Sequence, residues 1–531
     1  AGSHLANLDL MDLKGDTSWQ NRDFIFTTPQ HVTDAFLRFG QWQFDGKVYF
    51  DDISLVKVTP VHRHRNNLEL GKGELIHDGE YVFYSDFTEI DGNISRCLLQ
   101  HSASFNTDRW ILSARDEIVY AHTLLDQSQQ SGVIRLQVQK RDDAILSVEC
   151  DADGNFSTGT ITVKEIDKSG QYQVQIPTQL LPSSSIFVRL KSTGDCQIID
   201  YRYQAQLEDD ALQFIGDTNY VEVLSETGAV DVSFKTLGDL NSGDHNQVAI
   251  DITNLINYSL ELEATLKITP LASTDLFASS DTDQGTSLQI ITPGRRIFTV
   301  GVAETWEVRW TDYRLQQVGN YEMQIEVADR FYGEPVFQAR ILFHVPILYQ
   351  ADYGEMVSQD STLATVWWAD STRKISRRQL PPTNQTPLIR LSTAKNEYEP
   401  FQLVIRPKYR LSQVTVACSN FVSDQNDLIE ANRVQINMVD YVLVRHPSDS
   451  VGARGYWPDP LLPHAAPLEL DSGQNYPFWL TFYTSADLPA GTYRGSVIIS
   501  GTLGTDAVLS EEKIRQPVEI RQQLSTAKQR A

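Results

Sequence analysis

Apolar and polar residues alternate with a period of two along most of the chain. Clear examples are VIRLQVQ (133–139), VEVLS (221–225), VAIDITN (248–254), LELEATLKI (260–268) and YEMQIEVA (321–328). This period places every second side chain on one face and is typical of half-buried β-strands. Because helical periodicity is nearly absent, we predict an all-β protein of several tandem β-sandwiches, jelly-roll and immunoglobulin-like, with well under about 15% helix.

Turn residues divide the 531 positions into successive units. The first four residues, AGSH, are typical of an expression-tag remnant. After them we predict a module-like segment at 5–64, a β-sandwich of the galactose-binding-like class at 65–207, an immunoglobulin- or fibronectin-like sandwich at 208–350, a principal domain at 351–520 and a polar tail at 521–531.

The principal domain contains NEYEPFQ at 396–402, GYWPDPL at 455–461 and LPAGTY at 488–493. Together these motifs resemble the N-terminal β-sandwich domain of glycoside hydrolase family 123 and its relatives. In that family the domain precedes a TIM-barrel catalytic domain that cleaves N-acetylhexosamine glycosides. The resemblance implies a non-catalytic region that binds carbohydrate and braces the barrel. Because a barrel needs about 250 residues, we expect the catalytic domain to be absent from this chain.

The front segment contains AFLR (35–38) and GKVYFDDISL (46–55). These residues resemble the last strands of a jelly-roll carbohydrate-binding module of the kind found in families 4, 9, 16 and 22. In such modules an acidic residue near this strand ligates a structural calcium ion, and the matching positions are Asp51 and Asp52. Calcium takes about six to eight oxygen ligands, of which these two supply only a part. The alternative is that Asp52 forms a hydrogen bond in a neighbouring turn.

Two stretches contain the candidate carbohydrate-binding residues. In the 65–207 sandwich these are Arg109 and Trp110, since both residue types are frequent at contact sites. The nearby aromatic residues either join a sugar platform or lie in the core: Phe105, Tyr120 and His122.

The third candidate is Trp457, within GYWPDPLLP (455–463). Pro458, Pro460 and Pro463 lack backbone donors, which excludes an interior strand and a helix, so we predict an irregular but ordered loop. Trp457 then either packs on its own sandwich or a neighbouring domain such as the barrel, or forms a sugar platform.

The formal net charge of −24 argues against nucleic acid and anionic membranes as partners, because both attract basic patches. No run approaches the roughly 20 apolar residues of a membrane helix, so we expect no membrane insertion. Cys97–Cys150 or Cys150–Cys196 could form a disulfide within one domain, and free thiols fit equally well. We expect a secreted, periplasmic or cell-surface protein whose partners are a glycan or polysaccharide and a C-terminal catalytic domain.

No catalytic motif is evident. Adjacent carboxylates at 51–52, 142–143 and 511–512 lack the context of a glycosidase pair, and nucleophile-elbow and phosphate-loop motifs are absent. Three hypotheses follow: the non-catalytic N-terminal region of a family 123-type hydrolase, a free-standing multidomain carbohydrate-binding or adhesion protein, and a complete enzyme with an unrecognised β-sandwich site.

Overall fold

The computed structural model describes residues 6–7, 19, 24–28, 36–40, 46–85, 87, 93–141, 143–156, 160–161, 164–165, 170–208, 212–271, 289–311, 313–357, 361–445, 447–448, 452–463, 467–503 and 511–522. Strand accounts for 58% of the structure and helix for 2%, which confirms the all-β prediction. There are two compact units: Ala1–Leu224 with Ser233–Leu237 (unit 1), and Ser225–Val232 with Gly238–Ala531 (unit 2). The predicted tag remnant at 1–4, and positions 523–531 of the predicted tail, lie outside the described residues.

Unit 1 contains seventeen of the described strands and one 3-10 helix, Thr178–Leu180. The strands are β1 Ala6–Asn7, β2 Val58–Arg65, β3 Leu68–Leu70, β4 Glu74–His77, β5 Glu80–Ser85, β6 Leu98–His101, β7 Ser104–Asn106, β8 Arg109–Leu112, β9 Glu117–Thr123, β10 Gln129–Lys140, β11 Leu146–Asp151, β12 Thr160–Ile161, β13 Lys164–Glu165, β14 Gln171–Gln175, β15 Ser185–Ser192, β16 Cys196–Leu207 and β17 Phe214–Ile215. Two further strands contain residues of both units: β18 Thr218–Glu226 and β19 Val230–Thr236.

Two sheets form the sandwich of unit 1. One has the order β1-β7-β8-β16-β10-β14-β13, with β5, β4 and β17 branching from β16, and the other has the order β12-β11-β15-β9-β6. Their facing sides bury a continuous aromatic and aliphatic core that includes Trp110, Tyr120 and Tyr201. Cys97, Cys150 and Cys196 are buried free thiols in this unit, so neither possible disulfide is formed.

The described part of the front segment does not form the expected jelly-roll strand. Residues 46–57 contain no strand, and the apolar side chains of Tyr49, Phe50 and Ile53 are exposed. A strand needs neighbours that accept its backbone hydrogen bonds, and no described strand pairs with this stretch. The following strand, β2, pairs with residues 218–222 of β18 and with β3, so the boundary predicted at residue 64 falls inside β2.

The immunoglobulin-like part of unit 2 contains β20 Val248–Asn254, β21 Leu260–Pro270, β22 Arg296–Val300, β23 Thr305–Trp310, β24 Gly319–Asp329 and β25 Pro335–Val345. Strands β22-β21-β24-β25 are hydrogen-bonded in that order, and β20 pairs with β23. Alternate residues of these strands are buried, as the period of two predicted. A short 3-10 helix, Ile347–Tyr349, follows.

The principal domain contains β26 Glu355–Val357, β27 Ala364–Asp370, β28 Gln385–Thr386, β29 Ile389–Thr393, β30 Glu397–Pro407, β31 Leu411–Cys418, β32 Phe421–Ser423, β33 Leu428–Ile429, β34 Val434–Val444, β35 Gly455–Pro463, β36 Leu468–Leu470, β37 Tyr476–Thr484, β38 Gly491–Leu503 and β39 Glu511–Gln522, with a 3-10 helix at Ala431–Arg433. One sheet has the order β28-β26-β27-β30-β37-β34-β35, and the other β29-β39-β38-β31-β36 with β32 and β33 beside β38. The core between them includes Phe401, Phe478 and Phe482.

The proline-rich stretch 455–463 is an edge strand, β35, and not the predicted irregular loop. Among the described strands it pairs with β34 alone, so backbone N–H donors are needed on one side of β35, and proline is tolerated there. Pro458 lies opposite Tyr441, and a register shift follows, where Asp459 and Pro460 of β35 lie against the single residue Asp440 of β34. The exclusion of an interior strand and of a helix is confirmed, whereas the loop prediction is wrong because an edge position tolerates proline.

A loop of the immunoglobulin-like part contacts the principal domain within unit 2. The backbone N–H of Leu380 donates to the Ser242 carbonyl at 3.1 Å. The Arg406 guanidinium, on β30, donates to Asp244 at 2.9 Å and to the Gln379 carbonyl at 3.2 Å. Arg406 is almost fully buried, so its charge depends on Asp244 for compensation. Desolvation accordingly lowers the pKa of Arg406, and Asp244 opposes that shift.

Candidate functional site

The structure separates the two sugar-platform candidates of unit 1. Trp110 and Arg109 are neighbours on β8, so their side chains lie on opposite faces. Trp110 has no exposed surface, and its indole N–H donates to the Tyr120 hydroxyl at 3.1 Å. The prediction of a platform at Trp110 is therefore wrong. Arg109 is partly exposed, and Asp108 and Gln197 accept hydrogen bonds from its guanidinium.

The other aromatic residues of that stretch also lie in the core. Phe105, Tyr120 and His122 are buried, which confirms the alternative of a core role.

Trp457 is half-buried on β35. Its indole N–H donates to the Ala453 carbonyl at 2.6 Å, and it lies opposite Val442. Both neighbours belong to the principal domain, and packing of the ring on the sandwich or on another domain stays a prediction. A role for Trp457 in glycan binding stays a prediction.

Asp51 and Asp52 are exposed at the predicted calcium position. The backbone N–H of Asp52 donates to an Asp51 carboxylate oxygen at 3.0 Å, and Asp52 has a positive φ of 50°. The carboxylate in this contact is that of Asp51, so the alternative of a hydrogen bond from Asp52 to a neighbouring turn stays a prediction. Among the described residues there is no group of three or more His, Cys, Asp or Glu side chains that could hold a metal ion. Calcium binding stays a prediction.

Unit 1 contains a buried polar cluster that resembles a catalytic constellation in composition. Glu74 is fully buried, and Arg96 donates to both of its carboxylate oxygens at 2.6 and 2.7 Å. The Tyr81 hydroxyl donates to Glu74 at 2.7 Å and lies 3.3 Å from His122. The other ring nitrogen of His122 lies 2.8 Å from the Tyr201 hydroxyl. Because Glu74, Tyr81, His122 and Tyr201 are all closed to solvent, we interpret the cluster as structural.

The cluster predicts a loss of stability on acidification. Desolvation, followed by the charge of Arg96, holds the pKa of His122 well below its usual range. Below about pH 6.5 the unfolded chain protonates this histidine while the folded chain does not, so the unfolding free energy should fall by up to about 1.4 kcal/mol per pH unit. Urea denaturation at pH 7.5, 6.5 and 5.5 measures this slope. A His122→Gln variant should show a smaller slope, and an equal slope would contradict the assignment.

An open groove on the principal domain is the candidate site. Tyr398 on β30 lies directly opposite Tyr483 on β37. Their rings are stacked with centroids 4.6 Å apart and an interplanar angle of 29°. The Tyr483 hydroxyl donates to the Asn396 side chain at 2.8 Å, which fixes the ring. Tyr398 is 66% exposed.

Strand alternation explains why this face is polar and aromatic. Phe401 and Leu403 of β30 point into the core, so Tyr398 points outward with the even-numbered residues. Farther along β30 the same outer face is covered, because Gln402 is buried and donates to the carbonyls of Asp370 and Arg373. The groove lies at the other end of this face, where Tyr398 is exposed.

Polar side chains complete the groove, which has a volume of about 460 Å³. Thr481 of β37 lies opposite Gln435 of β34. Asn432 and Arg433 come from the 3-10 helix that precedes β34. An aromatic pair beside planar amide and guanidinium groups can stack on the apolar face of a sugar ring and bind its hydroxyls.

The sequence analysis quoted Tyr398 and Tyr483 within motifs and strands but did not assign them to a site. The signal that could have found them is the alternation itself. Each is an aromatic residue on the face opposite to Phe401 and Phe482, the core residues of its strand.

Comparisons with known proteins bear on the same domain. Residues 368–501 match the family model of the glycoside hydrolase 123 N-terminal domain, which confirms the resemblance drawn from the motifs. No curated protein matches the sequence.

Three solved structures are similar to parts of the chain. A family 123 glycoside hydrolase from Clostridium perfringens, described for glycolipid glycan hydrolysis, is 14% identical over 30% of this chain and 28% of its own, with a TM-score of 0.25. β-Glucuronidase 2 from Bacteroides uniformis is 11% identical over 44% and 27%, with a TM-score of 0.15. A tetra-tandem repeat from a large adhesion protein is 12% identical over 84% and 82%, with a TM-score of 0.15. The chain thus spans little more than a quarter of the first two proteins.

Proposed function

We propose that this chain is a non-catalytic, glycan-binding region of a glycoside hydrolase of the family 123 type, acting outside the cytoplasm. The family match at 368–501 supports the association with a hydrolase. The single observation that carries glycan binding is the stacked, exposed pair Tyr398 and Tyr483 in an open groove lined by polar groups. The groove lies within the matched segment.

The proposal includes a role in bracing a catalytic domain. Val442, Leu461 and Leu462 leave apolar side chains exposed on the last two strands of the sheet, β34 and β35. The prolines of β35 hinder addition of another strand, so this edge suits packing by side chains. We propose that a C-terminal catalytic domain packs here.

Replacing Tyr398 with alanine tests the glycan site. The variant should bind N-acetylhexosamine oligosaccharides at least about tenfold more weakly, because it loses the stacking surface, which is a change of about 1.4 kcal/mol. Isothermal titration calorimetry on the whole chain measures the affinity. The matched control is Tyr409→Ala, since Tyr409 is 57% exposed in the same domain and lies outside the groove. Failure of the unmodified chain to bind, or an equal loss in the control, would contradict the proposal.

A multidomain carbohydrate-binding or adhesion protein is the second candidate. Exposed apolar loops at one end of the immunoglobulin-like part support this candidate. The loops lie together, because backbone hydrogen bonds join Asn254 to Glu304 and Arg330 to Glu261. The loops at this end expose large apolar side chains: Leu255, Tyr258, Val302, Phe331 and Tyr332. Loss of adhesion or glycan binding in a Phe331→Ser variant, with none in Tyr398→Ala, would favour this candidate.

A further inference from the structure

Arg433 is the only charged residue among the six that line the groove. Its guanidinium forms no ion pair or hydrogen bond with any residue that the structure describes. An exposed guanidinium beside an aromatic platform is available to a ligand.

Cationic and acidic groups both lie near this end of the groove. Lys395, in the turn before β30, and Arg433 both act on Asp487 and help to lower its pKa, after the larger effect of a hydrogen bond from Ser485. Asp487 is therefore one acidic group near the two cations. The side chains of Glu397 and Glu399 leave the backbone of β30 on the face opposite to Tyr398. The Glu397 carboxylate accepts hydrogen bonds from the Ala394 backbone N–H and the Thr393 hydroxyl, and Arg433 is the charged group that lines the groove itself.

We infer that the groove prefers a glycan that carries a carboxylate, such as a uronic acid next to an N-acetylhexosamine. The sugar ring stacks on Tyr398, and the carboxylate accepts hydrogen bonds from the Arg433 guanidinium, whose planar fork matches a carboxylate in geometry. This inference rests on the proposed glycan site and names its ligand class.

Two tetrasaccharides of similar size test the preference. One is chitotetraose, which is neutral, and the other is the hyaluronan tetrasaccharide, in which glucuronate alternates with N-acetylglucosamine. The charged ligand should bind about fivefold more tightly at low ionic strength, the scale of an exposed ion pair. The difference should shrink as salt is added, because salt screens exposed charges.

Variants separate the inference from the proposed function. Arg433→Gln should weaken binding of the hyaluronan tetrasaccharide more than binding of chitotetraose and so remove the preference, and Tyr398→Ala should weaken binding of both ligands. Arg410→Gln removes the same formal charge elsewhere in the domain and should keep the preference. Equal binding of both ligands by the unmodified chain, or a preference that survives Arg433→Gln, would overturn the inference and leave the glycan site standing. Binding of neither ligand would overturn both.

Discussion

Replacing Arg96 with methionine should lower the free energy of unfolding of unit 1 by about 3–5 kcal/mol, the usual cost of leaving a buried charge without its partner. Glu74 has no solvent exposure, and Arg96 is its only ion-pair partner among the described residues. The methionine also leaves the Thr123 carbonyl without the hydrogen bond that Arg96 donates at 3.1 Å. Urea denaturation at neutral pH measures the loss.

An exposed ion pair of the same unit provides the control. Arg141 lies 3.1 Å from Asp195, and both side chains are mostly exposed. Arg141→Met should change stability by less than about 0.5 kcal/mol. Adding Glu74→Gln to the Arg96 variant should restore part of the loss, because it removes the stranded charge. Similar losses for Arg96→Met and Arg141→Met would show that the buried pair contributes little.

Replacing Asp244 with alanine should destabilise unit 2 by about 3 kcal/mol, because it strands the buried Arg406 guanidinium. The effect should extend beyond one sandwich, since Asp244 belongs to the immunoglobulin-like part and Arg406 to the principal domain. Calorimetry should therefore show the unfolding of these two parts separating into two transitions, where the unmodified chain shows one for unit 2.

Asp424→Ala is the matched control for this second prediction. Asp424 pairs with Arg494 at 2.8 Å within the principal domain, and its side chain is 82% exposed. Its removal should leave the transitions unchanged. A small effect of Asp244→Ala, close to that of the control, would mean that the Gln379 carbonyl, the Asn475 side-chain oxygen or water is enough to satisfy the Arg406 guanidinium.

The fold class was accessible from the sequence because strand alternation is a local property. The burial of Trp110 could also have been predicted from this alternation. Trp110 and Leu112 share one face of β8, and both side chains are buried. The edge strand β35 was missed because proline excludes only interior positions and helices, and the sequence does not say which strands are edges. The jelly-roll strand at 46–55 was expected from resemblance, but no described neighbour pairs with it.

The candidate groove could not be assembled from the sequence. Tyr398, Arg433 and Tyr483 come from three separate segments, and only the register of β30, β37 and β34 brings them together. The Glu74–Arg96 pair is likewise set by folding, since the residues lie 22 positions apart and form no motif. The sequence motifs were enough to identify the domain, whereas the pairing register of its strands was needed to identify the groove.

The most direct test of glycan binding is hydrogen–deuterium exchange of the whole chain, with and without a saturating N-acetylhexosamine-containing oligosaccharide. The account predicts ligand-dependent protection confined to peptides that cover 394–400, 431–436 and 479–485, the segments that form the groove. Protection at 255–259 and 330–334 would place the site at the apolar loop end of the immunoglobulin-like part. That result, or no protection anywhere, would contradict the assignment of the groove.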